Sequence, residues 1–442
     1  MGARITGAAL TLALAASCRP GVEAAAAHTP AAVPVSTETA RKLGPWLARV
    51  ERDLTEDVLP FWTRNTVLPS GGFTTHLDRS GERLANDRVY LLVQARMIWS
   101  LSAAHRHGLT SSGYLSRARA GVRFLTEAMR DAERGGYFYS VGFDGTPAET
   151  HKSVYVHSFV IYALSEYALA SGDDMALRRA VEVFDLLRER AADGEAGYVE
   201  MLTRAWEPKP GPKTLDTHMH LMEAFTVLAE ASGRREHRDE LRRLVKLLLS
   251  RAVHPVFECG LSKLTVDPGR VTESARTSYG HNVEFAWLLL DALAVLGEPP
   301  GHYDTFVLGM IDHALAYGCD PERGGVALYG PLTGHVADSS LPASRLTKSW
   351  WEQAEMLVAL AEIFDRTRDE KYLRALLREL DWVWRYQIDH ERGDWYEKVS
   401  WEGRPLVSNK GHSWKCAYHN ARALMRVSRA LRRMGVEPIG ED

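Results

Sequence analysis

The amino-acid sequence predicts an all-α fold, an (α/α)6 barrel (toroid) of twelve helices in six hairpins, and two observations lead to this prediction. The first is an internal repeat. Loops that place a glycine beside an aromatic or apolar residue recur at intervals of roughly 64 residues. Glycine suits tight turns because it adopts positive φ angles without steric cost. The six loops are Gly71-Gly72-Phe73, Gly135-Gly136-Tyr137, Ala196-Gly197-Tyr198, Cys259-Gly260-Leu261, Gly324-Gly325-Val326 and Gly393-Asp394-Trp395.

The second observation is that each repeat contains two helices of different character. One set is amphipathic with a charged face, which is typical of helices at a surface. Its predicted members are 39–65, 114–133, 173–192, 234–253, 302–317 and 370–388. The other set is apolar around most of its circumference and must therefore be buried on most sides. Its predicted members are 87–107, 154–170, 217–231, 280–296, 349–364 and 413–433.

Six hairpins that alternate exposed and buried helices predict an outer ring of amphipathic helices around an inner ring of apolar helices. The glycine loops then lie at the same end of the barrel as the starts of the inner helices. Side chains at those starts should converge on one concave face. An open α-solenoid is the alternative, because a repeat does not by itself prove that the ring closes.

The N-terminal region reads as a segment for export. Arg4 precedes an apolar run that is too short to span a bilayer but suits a secretory signal. The run ends at Ala15-Ala16-Ser17-Cys18, which resembles a bacterial lipoprotein signal with Cys18 as the lipidated residue. Ordinary cleavage near residues 24–27 is the alternative. We therefore expect an exported protein, either periplasmic or anchored to a membrane through Cys18, and otherwise secreted.

The remaining chain divides into a short linker and one long domain. Residues 19–37 are rich in Ala, Pro and Thr and should form a flexible linker. Residues 38–442 carry the repeat throughout and should form a single barrel domain. The formal net charge of −3 gives no electrostatic reason to expect nucleic acid as a partner. Phosphate-binding glycine motifs and the G-x-S-x-G nucleophile elbow are both absent from the sequence, so no nucleotide cofactor is predicted.

Four inner helices begin with clusters of polar and aromatic residues, which suggests one shared site. His220 precedes Glu223 by three residues and His281 precedes Glu284 by three, so each pair shares a helix face. One such pair alone would most often be a buried hydrogen bond. Two pairs together with His419 favour proton transfer, because histidine titrates near neutral pH.

The same His/Glu spacing would also fit a di-metal carboxylate site. The usual four-helix-bundle context is missing, however, and the cluster at 348–353 offers Lys and Trp instead of metal ligands. We therefore predict no metal.

Trp350, Trp351 and Trp414 could form aromatic walls against a ligand, and Arg96 could hold substrate oxygens. An ion pair between Arg96 and a glutamate of another inner helix is the alternative.

These motifs together resemble the N-acylglucosamine 2-epimerase family, and within it the cellobiose 2-epimerases. The resemblance runs from about residue 40 to the end of the chain, in the family's order, and the last motif is the most specific. The matching motifs are Gln94-Ala95-Arg96 with Trp99, His218-Met219-His220 with Glu223, Gly280-His281 with Glu284, Lys348-Ser349-Trp350-Trp351-Glu352-Gln353-Ala354-Glu355 and Trp414-Lys415-Cys416-Ala417-Tyr418-His419-Asn420.

The resemblance implies an (α/α)6 barrel in which His281 and His419 are the acid/base pair and His220 assists. It also implies a set of residues that bind the sugar substrate: Arg96, Glu223, Glu284, Trp350, Trp351, Trp414, Tyr155 and Asn420. Two positions depart from the pattern of cellobiose 2-epimerases. Asn282 stands where an aspartate is usual, and Ala417 stands where a proline is usual. Both departures bear on the choice of substrate.

The expected reaction is epimerisation at C2 of a reducing-end sugar, between the glucose and mannose configurations. One histidine removes the C2 proton of the open-chain aldose to form a cis-enediolate, and a second returns a proton from the opposite face. Return to C1 would instead give a ketose, so an aldose–ketose isomerase and an N-acylglucosamine 2-epimerase are alternatives. A glycoside hydrolase or lyase on the same barrel is less favoured, because hydrolysis usually needs two carboxylates. A glycan-binding lipoprotein is the most distant alternative.

Overall fold

Two rings of helices build the computed structural model, which describes residues 33–272, 275–299, 301–342 and 346–440. The helices are numbered in chain order, and inner and outer helices alternate. The outer helices are α1 (Thr37–Arg52) with α2 (Leu59–Asn65), α4 (Tyr114–Ala128), α6 (Asp174–Arg190), α8 (Arg235–Arg251), α10 (Asp304–Tyr317) and α12 (Glu370–Trp382). The inner helices are α3 (Leu91–Arg106), α5 (Val154–Ser171), α7 (Leu215–Ser232), α9 (Tyr279–Leu296), α11 (Trp350–Thr367) and α13 (Tyr418–Arg433).

The ring of inner helices is closed. Each inner helix packs on the next one in the chain, and the last, α13, packs on the first, α3. Helix α1 also packs on α13, so the two ends of the described chain meet in one hairpin. This closure confirms the predicted (α/α)6 barrel over the open solenoid.

Burial of the two helix sets agrees with the pattern of apolar residues. In inner helix α5, residues 156–168 are all buried. In outer helix α8, burial is confined to a stripe that includes Leu241, Leu244 and Leu248. A helix buried on all sides needs neighbours on all sides, which the inner position provides.

Short β-strands join neighbouring repeats at the end of the barrel where the inner helices begin. They are β1 (Arg88–Tyr90), β2 (Ser140–Gly142), β3 (Pro147–Glu149), β4 (Lys152–Ser153), β5 (Met201–Leu202), β6 (Arg276–Ser278), β7 (Tyr329–Pro331), β8 (Thr347–Ser349), β9 (Lys398–Ser400) and β10 (Pro405–Val407). They form antiparallel sheets in the orders β1-β2-β3, β4-β5, β6-β7 and β10-β9-β8. The sequence did not predict them, because pairings of two or three residues show no periodic pattern.

Two predicted helix starts are corrected by the local backbone. Helix α3 begins at Leu91 instead of residue 87, because Arg88–Tyr90 is strand β1. Helix α13 begins at Tyr418 instead of residue 413, so Trp414 and Lys415 precede the helix and are not part of its first turn.

A buried polar side chain near the start of most inner helices holds a glycine loop in place. His157 Nε2 accepts the N–H of Tyr137 at 3.0 Å, and its Nδ1–H donates to Ser153 O at 2.7 Å. Gly136 in this loop has φ of 67°, and a Cβ there would lie 2.9 Å from His157 Nε2. The residues that accept a loop N–H in this way are Gln94, His157, His218, Asn282 and Gln353.

Three loops are further locked by a buried aspartate and a buried lysine. Asp131 Oδ1 accepts the N–H groups of Glu133 and Arg134, while its Oδ2 lies 2.9 Å from Lys152 Nζ. The same arrangement recurs in the loops at 320–325 and 389–393. The paired residues there are Asp320 with Lys348 at 3.5 Å and Asp389 with Lys410 at 3.0 Å. The loops at the open end of the barrel are thus fixed by ion pairs that have little exposure to water.

The predicted export signal, including Cys18, lies outside the described residues. Of the predicted linker, residues 33–37 are described. Val35 N–H donates to Met434 O at 3.0 Å, and the Ser36 hydroxyl caps helix α1 by accepting the N–H of Thr39. Helices that combine enough length and apolar character to cross a membrane are not found in the described part of the chain.

We predict that His157→Gln preserves the loop and removes part of the protein's sensitivity to acid. Burial lowers the pKa of His157 to about 3, whereas an unfolded histidine titrates near 6.5. Below pH 6.5 the unfolded chain therefore binds a proton that the folded chain does not, and stability falls by up to about 1.4 kcal/mol per pH unit. Glutamine cannot bind that proton, and Gln353 already makes the same two bonds to Val326 N and Ser349 O.

The measurement is urea unfolding of both proteins between pH 4 and pH 7. His157→Leu is the matched variant that removes the acceptor, and we expect it to cost about 1–3 kcal/mol at pH 7, because the N–H of Tyr137 is left unpaired. Equal slopes of stability against pH for the wild type and His157→Gln would contradict this role for His157.

Candidate active site

Side chains from the first two turns of all six inner helices touch one another in a closed circuit. In chain order they are Arg96, Tyr155, Asp216 with His220, His281, Trp351 and His419, and the circuit closes through Tyr418, whose ring contacts both His419 and Arg96. Parallel inner helices bring their N-terminal turns to the same end of the barrel. The circuit therefore lies at the open end, as the repeat predicted.

Asp216 lies between two imidazoles. Its Oδ1 is 3.4 Å from His281 Nε2 and 3.5 Å from His220 Nε2. Burial favours the neutral form of His281, but its contact with Asp216 and the charge of that carboxylate outweigh burial and raise the pKa of His281. Although burial opposes ionisation of Asp216, the two histidines lower its pKa to about 2. The pair thus favours a protonated His281 beside an ionised Asp216.

His419 has the opposite preference. Burial lowers its pKa to about 3, although a bond to Glu355 acts in the other direction. His419 Nδ1–H donates to Glu355 Oε1 at 2.6 Å. Because a carboxylate only accepts, the proton of neutral His419 sits on Nδ1, and Nε2 carries a free lone pair. His419 is thus poised to act as a base at neutral pH.

Trp351 separates the two histidines. Its ring centroid lies 4.7 Å from that of His281 and 5.9 Å from that of His419. The two imidazoles are therefore neighbours of one indole, and they stand on helices α9 and α13, which flank α11. A ligand against Trp351 would meet both.

One turn deeper along the inner helices, Arg422 joins three buried glutamates. Its Nη2 donates to Glu284 Oε1 at 2.7 Å and to Glu355 Oε1 at 2.8 Å, and its Nη1 donates to Glu223 Oε1. Tyr418 Oη donates to the same oxygen of Glu223 at 2.7 Å. The three glutamates come from helices α7, α9 and α11, so one guanidinium connects four inner helices.

The charges of this network are set by burial and by Arg422. Burial and the neighbouring Glu355 raise the pKa of Glu284 to about 8. Despite burial, Arg422 and His220 hold the pKa of Glu223 at about 2. Glu223 Oε2 accepts a bond from His220 Nδ1–H at 2.8 Å, so its charge also orients His220. The network thus holds His220 and His419 through two ionised carboxylates.

Arg96 forms the opposite wall of the circuit. Its Nη2 donates to Tyr155 Oη at 2.9 Å and its Nη1 donates to Trp414 O at 3.0 Å. The guanidinium also lies over the rings of Phe159 and Tyr418. Its Nε–H is buried without a partner among the described residues. The alternative, an ion pair between Arg96 and a glutamate, is not found among the residues that the structure describes, so a positive charge remains at this wall.

A group that could hold a metal ion exists in the described residues, formed by Glu284, Glu355 and His419. Its two carboxylates already bind the guanidinium of Arg422, and His419 Nδ1 bonds Glu355. A divalent cation would have to share these oxygens with a fixed positive charge. The donor set therefore fits an arginine better than a metal.

The structure brings most of the predicted site residues together and places others elsewhere. His281, His419, His220, Arg96 and Tyr155 line the circuit. Trp351 also belongs to it, and Trp414 stands at its edge with 45% of its surface exposed.

Four of the predicted substrate-binding residues make contacts within the protein, and their contact with substrate stays a prediction. Trp350 is only 7% exposed and packs edge-on against His412 and His419, so little of its face is open to a ligand. Asn420 is fully buried and its Nδ2 donates to Asp394 Oδ1 at 2.6 Å. Glu223 and Glu284 lie in the Arg422 network, beneath the imidazoles.

The two departures from the family pattern also fall on buried structural positions. Asn282 Oδ1 accepts the loop N–H of Gly260 at 2.9 Å, and Ala417 is fully buried before helix α13. His218 serves the same structural purpose for Tyr198, which explains why it points away from His220.

Three residues of the site were not assigned a role from the sequence: Asp216, Glu355 and Arg422. Asp216 stands four residues before His220, a spacing that places both on one helix face and could have identified it. Arg422 and Glu355 lie on different helices, so their sequence spacing carries no signal.

Comparisons with known proteins agree with this geometry. The family model for N-acylglucosamine 2-epimerase (GlcNAc 2-epimerase) matches residues 71–423. The chain is 28% identical to cellobiose 2-epimerase of Bacteroides fragilis, covering 86% of this chain and 97% of that one. It is 29% identical to cellobiose 2-epimerase of Ruminococcus albus, covering 86% and 98%. The structure of cellobiose 2-epimerase from Spirochaeta thermophila aligns with a TM-score of 0.79 at 29% identity, covering 90% and 98%.

We predict that Arg422→Met costs about 3–5 kcal/mol of unfolding free energy at pH 7, or prevents folding. Removing the guanidinium leaves buried carboxylates without their counter-charge. The loss should shrink as the pH falls, because Glu223 and Glu355 can then take up protons. Denaturant unfolding at pH 7 and pH 5 measures both effects.

Arg429→Met is the matched control, because Arg429 lies two turns further along α13 and is exposed. We expect it to change stability by no more than about 0.5 kcal/mol. If the two variants were equally stable, the network would not contribute to the fold in the way described.

Proposed function

The chain belongs to the N-acylglucosamine 2-epimerase family, and from that premise we propose that it is a sugar 2-epimerase. It would interconvert the glucose and mannose configurations at C2 of a reducing-end sugar. The observation that carries this proposal is the pair of imidazoles flanking Trp351, one favouring the protonated form and the other held neutral.

The protonation states assign the first step to His419. Its free Nε2 removes the C2 proton of the open-chain sugar, which is acidic because C1 is a carbonyl. The electrons move into a cis-enediolate across C1 and C2. His281 then gives its proton to C2 from the opposite face, which inverts that carbon. The raised pKa of His281 keeps more of it protonated near neutral pH, as a proton donor requires.

Arg96 and His220 are placed to stabilise the enediolate. Negative charge develops on the sugar oxygens at C1 and C2, and fixed donors lower the free energy of that state. The guanidinium of Arg96 retains its charge at every relevant pH. His220 contributes through its bond with Glu223, which fixes the orientation of its ring.

Aldose–ketose isomerisation and N-acylglucosamine epimerisation remain the nearest alternatives, because they share the enediolate step. The isomerase differs only in returning the proton to C1. Hydrolysis of a glycosidic bond is less supported, since three of the site's carboxylates are held by Arg422. That leaves Asp216 as the site carboxylate with substantial exposure, at 40% of its side chain.

A reducing β-1,4-linked glucose or mannose disaccharide fits the aromatic surfaces better than a single sugar. Trp351 lies at the histidines, and the half-exposed Trp414 lies at the edge, where its ring is 5.6 Å from that of Tyr155. Two separated indoles suit two sugar rings, because each sugar stacks on one aromatic face.

We also propose that the protein works outside the cytoplasm, with Cys18 as its lipid attachment point. The support is the apolar run and the small residues before Cys18 in the sequence. Labelling of the full chain with a radioactive fatty acid in the producing cell, with Cys18→Ser as the comparison, would test the anchor.

We expect the purified protein to epimerise cellobiose with a higher kcat/KM than glucose, in the presence of EDTA. Proton NMR of cellobiose, mannobiose, glucose, mannose and N-acetylglucosamine with the protein measures this. Trp414→Ala should raise KM for cellobiose more than for glucose, because it removes the aromatic face at the edge of the site. Trp384 lies on the outer ring of helices, so Trp384→Ala is the control and should leave the ratio of KM for cellobiose to KM for glucose unchanged.

Other outcomes would redirect the proposal. A preference for monosaccharides would exclude a disaccharide substrate, and a ketose product would establish an isomerase. Activity that is lost with EDTA and restored by one divalent metal would contradict the mechanism through side-chain protons.

A further inference from the structure

Asp216 is the side chain that connects the two histidines of α7 and α9, and the proposed reaction does not use it. Its Oδ1 faces Nε2 of both His281 and His220. It lies in the first turn of α7, where Thr214 caps the helix. Its side chain is 40% exposed, compared with 20% for His281 and 2% for His220.

We propose that Asp216 is a positioning residue that keeps a proton on His281 in the free enzyme, so that His281 starts each turnover as the acid and His419 as the base. This inference rests on the proposed function. It adds the interaction that determines which histidine is protonated before the sugar binds.

Charged and titratable groups face His281 from several elements. Asp216 and His220 come from α7, Glu284 from its own helix α9, and Glu352 from α11. Burial raises the pKa of Glu352 to about 7 and that of Glu284 to about 8, so at pH 7 Glu352 is about half ionised and Glu284 is mostly neutral. Asp216 is fully ionised there and lies 3.4 Å from His281 Nε2, so it contributes most to stabilising the His281 cation.

Groups around Asp216 itself are compatible with this assignment. Arg96 from α3 lowers the pKa of Asp216 further, after the two histidines. Tyr329 from β7 also faces Asp216, and burial with this charge raises the pKa of Tyr329. The guanidinium favours an ionised Asp216, and a neutral Tyr329 adds no charge that would oppose it.

The proton balance of one turnover explains why the interaction between Asp216 and His281 matters. His419 takes the C2 proton of the substrate, and His281 gives its own proton to C2 of the product. The enzyme is therefore left with the proton on His419 and none on His281. Asp216 favours the return of a proton to His281, whereas the buried surroundings of His419 favour its release.

The test is NMR titration of His281 in the free protein, with histidine labelled by 13C at Cε1. We expect Asp216→Asn to lower the pKa of His281 by one unit or more, because the amide keeps the shape but removes the charge. Asp216→Glu keeps the charge and should restore part of the shift. Asp216→Ser serves as a second variant without charge, in case the amide disturbs the fold.

Activity gives an independent readout. The plateau of kcat/KM against pH should end at a lower pH in Asp216→Asn, since the protonated fraction of His281 falls about tenfold for each unit of pKa at a pH above both values. Asp239→Asn, on outer helix α8, removes a carboxylate far from the site and should leave the profile unchanged. A loss of kcat/KM that is equal at every pH would indicate a purely structural role and would overturn the proposal.

The two proposals fail in different ways. A His281 pKa that is the same in the wild type, Asp216→Asn and Asp216→Ser overturns the role of Asp216, even if the protein epimerises sugars. A wild type that epimerises none of the sugars tested overturns the proposed function, while the titration of His281 still reports whether Asp216 holds its proton.

Discussion

The contact on which the rest of the structure depends is the one between Arg422 and the glutamates of three inner helices. Burying four ionisable groups is costly unless each is paired. Here the guanidinium of Arg422 binds Glu223, Glu284 and Glu355. Because the pKa of Glu284 rises to about 8, Glu284 is mostly neutral at pH 7, and the network carries less net negative charge. The two glutamates that stay ionised each hold one histidine of the site.

Each inner helix carries two kinds of residue near its start: some hold the glycine loops, and others face the site. Residues such as His157, His218 and Gln353 hold the glycine loops and are fully committed to backbone groups. Their neighbours in the first two turns, such as His220, His281 and Trp351, face the circuit at the open end. Six copies of one hairpin thus supply six positions for chemistry, and the repeats differ in what they place there.

The rings of helices could be predicted from the sequence because apolar periodicity and the glycine loops repeat along the whole chain. The histidines of the site could be predicted for the same reason, since each stands at the start of an inner helix. The supporting residues could not, because a spacing of three reports on one helix face, while Arg422 acts across four helices. The family resemblance implied that Glu223 and Glu284 bind substrate, and the bonds that both make to Arg422 could not be predicted from the sequence.

The contacts of the aromatic residues also could not be predicted from their positions in the sequence. Trp350 and Trp351 are adjacent in sequence, yet one packs inward against His412 and the other borders the two imidazoles. Asn420 belongs to the most specific motif of the chain, but its amide binds Asp394 in a loop more than twenty residues away. Which side of a helix faces the site depends on packing against neighbouring helices, and sequence adjacency carries no information about it.

The claim that two histidines act from opposite faces is tested most directly by hydrogen exchange at C2 in D2O. We expect His281→Ala and His419→Ala each to abolish net epimerisation. Each variant should still exchange the C2 hydrogen of one epimer without inverting it: His281→Ala through the remaining His419, and His419→Ala on the opposite epimer. Near-normal epimerisation by either variant, or no exchange of either epimer by both, would contradict the account.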